Sequence, residues 1–178
     1  MVFPPVSQTA VCDKLIEISS FCINVRFYPV PQVTKNFEGL MTDKGSAIQR
    51  LNPPELGSPP GYSQVVDVKA SRLIFIAGQT ALDRDGALVG KDDFTAQADQ
   101  VFHNLSEALK AVGCDASHLV KMTVFLRDVG DLGAYRESRN RFFTTVTPPA
   151  APAVTLVEVS KLYGADFLIE IEGIAAVA

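Results

Sequence analysis

The sequence predicts an α+β domain whose strands and helices follow the order β-β-α-β-α-β-β. Apolar and polar residues alternate between positions 119 and 127, the pattern of a strand with one covered face. Between Phe94 and Val112 apolar residues return every three or four positions, which indicates an amphipathic helix. The stretch 153–176 reads as two strands joined by a short loop. These three segments define the fold class.

The remaining elements fit between them. Short runs at 65–68 and 72–77 predict two strands separated by a turn at 69–71. Asp92 or Asp93 can cap the first helix, and Gly113 can end it. A second helix is predicted from near Asp131 through Val146, ended by the prolines at 148 and 149.

The strand at 72–77 is apolar on both faces. Leu73, Phe75 and Ala77 face one way, whereas Ile74 and Ile76 face the other. Two helices can cover only one face of the predicted sheet. We therefore expect a second copy of the chain to cover the other face, and so an oligomer.

The two C-terminal strands bring carboxylates into an apolar setting. One face of the first strand carries Val154, Leu156 and Glu158. Glu170 and Glu172 share one face of the second, because side chains alternate across a strand. This pattern is typical either of a solvated sheet face or of a partly buried cleft in which a carboxylate acts as acid or base.

Composition limits the classes of function. The 178 residues are 47% hydrophobic, which suits one domain, predicted at 48–178, with an N-terminal appendage at 1–47 that shows no sustained period. A net charge of −4 suggests neither a nucleic acid nor an anionic membrane as partner. The three cysteines and two histidines lack metal-ligand spacing, so we expect no metal site. Without a signal peptide or spanning segment, we expect a cytoplasmic protein.

Four short motifs occur in order within the predicted elements. They are Gly-Tyr-Ser-Gln at 61–64, Ile-Ala-Gly-Gln at 76–79, the strand Leu-Val-Lys-Met-Thr-Val-Phe-Leu at 119–126 and Ile-Glu-Ile-Glu at 169–172. Together they resemble the Rid family of reactive-intermediate deaminases, also called YjgF-like proteins. The resemblance covers about residues 48–178.

The resemblance implies a chorismate-mutase-like domain with a mixed sheet and two helices on one face. It also implies a homotrimer with a small-molecule cleft at each subunit interface. The best-known members of this family hydrolyse reactive imines and enamines to 2-keto acids and ammonia, without a metal or a bound cofactor.

The resemblance assigns site residues position by position, with matches and departures. A catalytic glutamate matches Glu172, a tyrosine matches Tyr62, and the glycine–glutamine pair that shapes the pocket matches Gly78 and Gln79. The substrate-anchoring arginine is replaced by Val154. Three further family residues, a small residue, a serine and an asparagine, are replaced by Leu156, Ala77 and Arg136.

The replacement at Val154 bears directly on the substrate. An arginine fork binds a carboxylate through two charge-assisted hydrogen bonds, and valine provides none. Small 2-imino acids should therefore bind poorly unless another cation binds their carboxylate. Arg136 and Arg139 are candidates for that role, and the alternative is that each is a solvated charge on the helix surface. Three alternatives remain open: an imine hydrolase, a non-catalytic trimer that binds a metabolite, and an interaction scaffold.

Overall fold

The computed structural model describes residues 47–178, so the predicted appendage at 1–47 lies outside the described residues except for its last position. The strands are β1 (Ile48–Leu51), β2 (Val65–Val68), β3 (Arg72–Gln79), β4 (Leu119–Leu126), β5 (Ala153–Glu158) and β6 (Ile169–Val177). The helices are α1 (Phe94–Lys110) and α2 (Leu132–Phe143). All seven predicted elements are present, in the predicted order.

The main sheet has the strand order β3-β6-β4-β5. Strand β4 pairs in parallel with β5 and antiparallel with β6, and β6 pairs antiparallel with β3. The sheet is therefore mixed, as predicted, and β6 lies between the strands that carry the other motifs.

Strand β1 was not predicted. It pairs antiparallel with β2 to form a separate two-stranded sheet. Its four residues show no alternation, and long-range contacts hold it in place. The Arg50 guanidinium donates hydrogen bonds to the carbonyl oxygens of Ser117 at 2.8 Å and Leu119 at 3.2 Å. A strand held by such contacts leaves little signal in its own residues.

Local sequence sets the ends of the helices. Asp93 caps α1, because its carboxylate accepts a hydrogen bond from the Ala96 backbone N–H at 3.0 Å. Gly113 follows the helix with a φ of 73°, which glycine adopts readily. Helix α2 ends at Phe143, earlier than predicted, and Val146 lies in the turns that follow.

The two helices pack together and cover one face of the sheet. The ring centroids of Phe102 in α1 and Phe142 in α2 are 5.0 Å apart. Beneath them, the sheet contributes buried side chains at alternate positions, including Ile76, Met122, Val124, Ile169 and Ile171. In the described part of the chain, no helix is long and apolar enough to cross a membrane.

We call the other side of the sheet the open sheet face. Its side chains are those of Leu73, Phe75, Lys121, Thr123, Phe125, Thr155, Val157, Glu170, Glu172 and Ile174. Phe75 is 74% exposed and Leu73 is 53% exposed. The alternation predicted for β3 is therefore correct, and these apolar side chains are left without cover in a single chain.

Candidate functional site

The site residues predicted from sequence fall on separate surfaces of the single chain. Arg136, Tyr62, Val154 and Leu156 line one cleft, between α2 and the helix-covered side of β5, which we call the Tyr62 cleft. Ala77 and Glu172 line another, on the open sheet face, which we call the Glu172 cleft. The structure thus brings the first four together and places Glu172 on the opposite side of the sheet.

The Tyr-Ser-Gln loop is fixed to the start of β5. The Ser63 side chain is buried, and its hydroxyl donates a hydrogen bond to the Ala151 carbonyl at 2.6 Å. Its backbone N–H donates to the Pro152 carbonyl at 3.0 Å, and Ser63 forms a parallel bridge with Ala153. These contacts hold the neighbouring Tyr62 at the same cleft as Val154.

Arg139 is a structural part of the Tyr62 cleft. It is 6% exposed, and its Nη2 donates hydrogen bonds to the Pro60 carbonyl at 3.2 Å and the Asn140 amide oxygen at 3.0 Å. Its guanidinium carbon lies 5.8 Å from the centroid of the Tyr135 ring. Gly61, at a φ of 80°, leaves room for it, because a Cβ there would collide with the guanidinium. The interpretation of Arg139 as a solvated charge is therefore wrong.

Arg136 differs from Arg139 in both exposure and contacts. Its side chain is exposed, and it makes no hydrogen bond or ion pair with any described residue. The cleft that it lines has a volume of about 280 Å³ and no acidic side chain in its wall. Arg136 is therefore a cation available to a ligand, whereas Val154 makes its part of the wall apolar.

The Glu172 cleft combines a carboxylate, an amine and apolar surface in a volume of about 470 Å³. Glu172 lies opposite Thr123 in the pairing of β6 with β4. Lys121, two residues earlier in β4, lines the same cleft, and its amine donates a hydrogen bond to the Thr155 hydroxyl at 2.5 Å. Burial lowers the pKa of Lys121, while the charge of Glu172 raises it.

Lys121 was not predicted as a site residue. The signal was present, since Lys121 and Thr123 alternate with the buried residues of β4 and so share a face. What the sequence lacked was the pairing of β4 with β6, which places that face beside Glu172.

Glu170 and Glu172 share the open sheet face but have different surroundings. Glu172 is exposed in the single chain, whereas Glu170 is partly buried beside Gly78. A Cβ at Gly78 would collide with the Glu170 carboxylate, so glycine permits the close approach of β3 and this side chain. Burial raises the pKa of Glu170, and the negative charge of Glu172 raises it further.

Gly78 and Gln79 also border a third depression, beside the N-terminal part of the loop after β3. The pairing of β3 with β6 is irregular between Ile76 and Gln79. The Gln79 amide donates a hydrogen bond to the Ala77 carbonyl at 3.0 Å. The depression is lined by polar and apolar side chains, and among them the Thr80 hydroxyl is 2.9 Å from that of Tyr163. The two motif residues thus line this depression and not the Glu172 cleft.

Comparison with known proteins identifies the family. A family model described as Endoribonuclease L-PSP, the YjgF or Rid group, matches residues 55–177. The chain belongs to the Rid family. The resemblance drawn from the four motifs, and the fold that it implied, are therefore confirmed.

Two curated relatives show how far the likeness extends. The protein DfrA of Myxococcus xanthus is 42% identical over 101 residues, which cover 57% of this chain and 74% of DfrA. A mouse protein named 2-iminobutanoate/2-iminopropanoate deaminase is 39% identical over 90 residues, which cover 51% of this chain and 65% of that protein.

Solved structures share the fold. A Rid protein of unknown function from Yersinia pestis has a TM-score of 0.67 at 28% identity, covering 74% of this chain and all of that one. The YjgF gene product of Escherichia coli has a TM-score of 0.55 at 32% identity, covering 71% of this chain and 94% of that one. These comparisons establish the family and the fold.

Among residues 47–178 no group of three histidine, cysteine, aspartate or glutamate side chains is arranged to hold a metal ion. Cys114, the one cysteine in this range, is buried.

Proposed function

We propose that the protein hydrolyses a reactive imine or enamine at a cleft formed between two copies, where the Tyr62 cleft of one copy meets the Glu172 cleft of another. One observation carries the proposal: Tyr62 and Glu172, the two catalytic residues predicted by the resemblance, line accessible clefts on opposite sides of one sheet. A single chain cannot bring them to one substrate, whereas a symmetric assembly can. The deaminase named among the relatives supports this chemistry.

The open sheet face supplies the surface for that assembly. Its exposed Leu73, Phe75 and Val157 form apolar surface of the kind that marks protein–protein contacts. We propose a homotrimer, as the family resemblance implies. Light scattering at micromolar protein should give a mass of three chains, and a monomer mass would contradict both the trimer and the shared cleft.

In the proposed reaction, the Glu172 carboxylate takes a proton from water as the water oxygen bonds to the imine carbon. The carbon–nitrogen double bond becomes single, and the nitrogen receives the proton. The C–N bond of this adduct then breaks while the hydroxyl proton passes to the nitrogen, which releases ammonia and leaves a carbonyl product. Tyr62 assists the proton transfer to nitrogen, and an enamine first takes a proton at carbon to become the imine. No oxidant or reductant is needed, because the overall reaction consumes only water.

Two features favour a second candidate, binding without turnover. Val154 stands where the family resemblance places the carboxylate anchor, and Ala77 stands where it places a serine. The protein would then be a trimer that holds an apolar metabolite. The family description names an endoribonuclease, but the net charge of −4 favours a small metabolite over RNA as the ligand.

Glu172→Gln separates the two candidates. An amino-acid oxidase generates imines from a panel of amino acids, and semicarbazide trapping measures how fast the full-length protein removes them. We expect removal to fall at least about a hundredfold in Glu172→Gln. Glu137→Gln, which removes an exposed carboxylate of α2, is the control and should leave the rate unchanged.

If Glu172→Gln removes every imine as fast as the unmodified protein, the assignment of Glu172 is wrong. If the unmodified protein removes none of the panel but binds related acids, the non-catalytic candidate is correct.

A further inference from the structure

We propose that Arg136 anchors the carboxylate of the ligand, and that the ligand is an apolar or aromatic acid whose body packs against Val154 and Leu156. This inference rests on the proposed function only in placing the ligand at the Tyr62 cleft. It assigns the anion-binding role to a residue of helix α2, whereas the family resemblance places the anchor on strand β5. It also assigns a class of ligand that differs from a small 2-imino acid.

The three arginines of α2 differ in their partners. Arg139 is committed to Pro60 and Asn140, and Arg141 pairs with Asp99 at 2.6 Å. Arg136 has no such partner among the described residues and lines the cleft. It is therefore the arginine of this helix that can bind an anion without first losing another contact.

The composition of the cleft wall favours an acid with an apolar body. Apart from the two arginines, the lining consists of apolar or aromatic side chains, those of Pro60, Tyr62, Leu132, Tyr135, Val154 and Leu156. No carboxylate competes for Arg136 or repels an anion there. A charge-assisted bond to a guanidinium fixes the acid group, while burial of the ligand body against this wall adds affinity in proportion to the apolar area buried.

A buried hydrogen-bond donor without a partner also lines the Tyr62 cleft. The Tyr135 hydroxyl is buried and makes no hydrogen bond of ordinary geometry among the described residues. Burial raises the pKa of Tyr135 to about 12, with a smaller opposing effect of Arg139, so the hydroxyl keeps its proton at neutral pH. A buried hydroxyl without a partner is destabilising, and a hydrogen bond to a ligand oxygen or a water molecule would relieve that cost.

The volume of the Tyr62 cleft also limits the size of the ligand. The cleft of about 280 Å³ in one copy is close to the lower end of the roughly 300–1,000 Å³ typical of small-molecule sites. Valine at position 154 leaves space that an arginine side chain would occupy. An acid with only one or two carbons beyond its carboxylate would leave this apolar wall in contact with water, whereas a ring or a branched chain would cover it.

Calorimetry with three probes tests the inference on the full-length protein. Phenylacetate carries both the acid and the apolar body, acetate lacks the body, and phenylacetamide lacks the charge. Phenylacetate should bind at least about tenfold more tightly than either of the others, since the two contributions act together.

Two variants of α2 provide the matched comparison. Arg136→Gln should weaken phenylacetate binding at least about tenfold and leave phenylacetamide unchanged. Arg141→Gln removes the same charge from the same helix, outside the cleft, and should change phenylacetate binding less than about twofold. Arg136→Lys should retain part of the affinity, because it keeps the charge and loses the fork.

Several results would overturn the inference. It fails if Arg136→Gln and Arg141→Gln weaken phenylacetate equally, if acetate binds as tightly as phenylacetate, or if no probe binds at millimolar concentration. Glu172→Gln distinguishes this failure from that of the proposed function, because it should abolish turnover and preserve phenylacetate binding. Arg136-dependent binding without any imine turnover would refute the hydrolase and support the anchor. Turnover with Arg136-independent binding would do the reverse.

Discussion

Val154→Arg tests how the cleft treats a substrate carboxylate. The new guanidinium would stand where the family resemblance places the anchor, in the same cleft as Arg136 and Arg139. A desolvated arginine–carboxylate contact is worth about 2–5 kcal/mol, or roughly 30- to 5,000-fold in kcat/KM for a small 2-imino acid. The existing arginines oppose this gain. For two like charges about 6–8 Å apart at an effective dielectric constant near 20, Coulomb's law gives a cost of about 2–3 kcal/mol.

The single variant should therefore gain little, from none to about fivefold, because two such pairs together offset about 4–6 kcal/mol. The double variant Val154→Arg/Arg136→Asn removes one repulsion and should exceed the single variant by at least about tenfold. Semicarbazide trapping of 2-iminopropanoate measures kcat/KM for each. Val129→Arg, at a half-exposed position outside the cleft, controls for the added charge.

Two results would refute this reasoning. One is an unmodified protein that clears 2-iminopropanoate as fast as the double variant, because Val154 would then not limit substrate choice. The other is a single variant equal to the double variant, because Arg136 would then lie too far from position 154 to repel it. Leu156→Cys should be added to both variants, since Leu156 lines the same cleft and can obstruct the new side chain.

Three further predictions concern assembly, packing and pH. Phe75→Glu should convert the proposed trimer to monomers in light scattering and leave the far-ultraviolet circular dichroism unchanged, because the ring is 74% exposed in a single chain. Gly61→Ala should lower the free energy of unfolding by about 1–3 kcal/mol more than Gly57→Ala. Both glycines have a positive φ, but only at position 61 would the added Cβ collide with a side chain, that of Arg139. Glu170→Gln should raise the melting temperature at about pH 8, and this gain should be lost by about pH 3. The reason is that burial raises the pKa of Glu170 in the folded state. Ionisation of Glu170 above the ordinary carboxyl pKa therefore opposes folding, and glutamine removes that ionisation. Equal melting temperatures of the two proteins at both pH values would contradict the last prediction.

The order of elements could be predicted because each segment carries its own period. The alternation in β4 and the helical spacing in α1 both record which side chains face the core. Strand β1 shows no such pattern. It is held in place by the hydrogen bonds of Arg50 to Ser117 and Leu119, which are distant in the sequence. The end of α2 was misplaced for a related reason: Val146 continues the apolar spacing, although the backbone has already turned.

The site was less predictable than the fold. Alternation placed Glu170 and Glu172 on one face, but it could not show that one is partly buried and the other exposed. Arg136 and Arg139 also look alike in the sequence. Only the approach of Gly61 and Pro60 to α2 shows that Arg139 is held in the structure, and this approach joins segments about 79 residues apart.

A mixing experiment tests the proposed division of the site between two copies. Glu172→Gln disables one half of the site, and Val154→Trp fills the Tyr62 cleft that forms the other half. Each variant alone should be inactive. In trimers assembled at random from equal amounts of the two, an intact cleft needs its Glu172 from a Val154→Trp copy and its open Tyr62 cleft from a Glu172→Gln copy. Each choice has a probability of about one half, so about a quarter of the activity should return.

The control mixes unmodified copies with copies carrying both substitutions. If the site is shared, about a quarter of the activity should again remain, because both contributing copies must be unmodified. If one copy formed the whole site, this control would retain about half, and the first mixture would remain inactive. The two ratios together therefore decide between a shared and a self-contained site, whatever the substrate used to measure them.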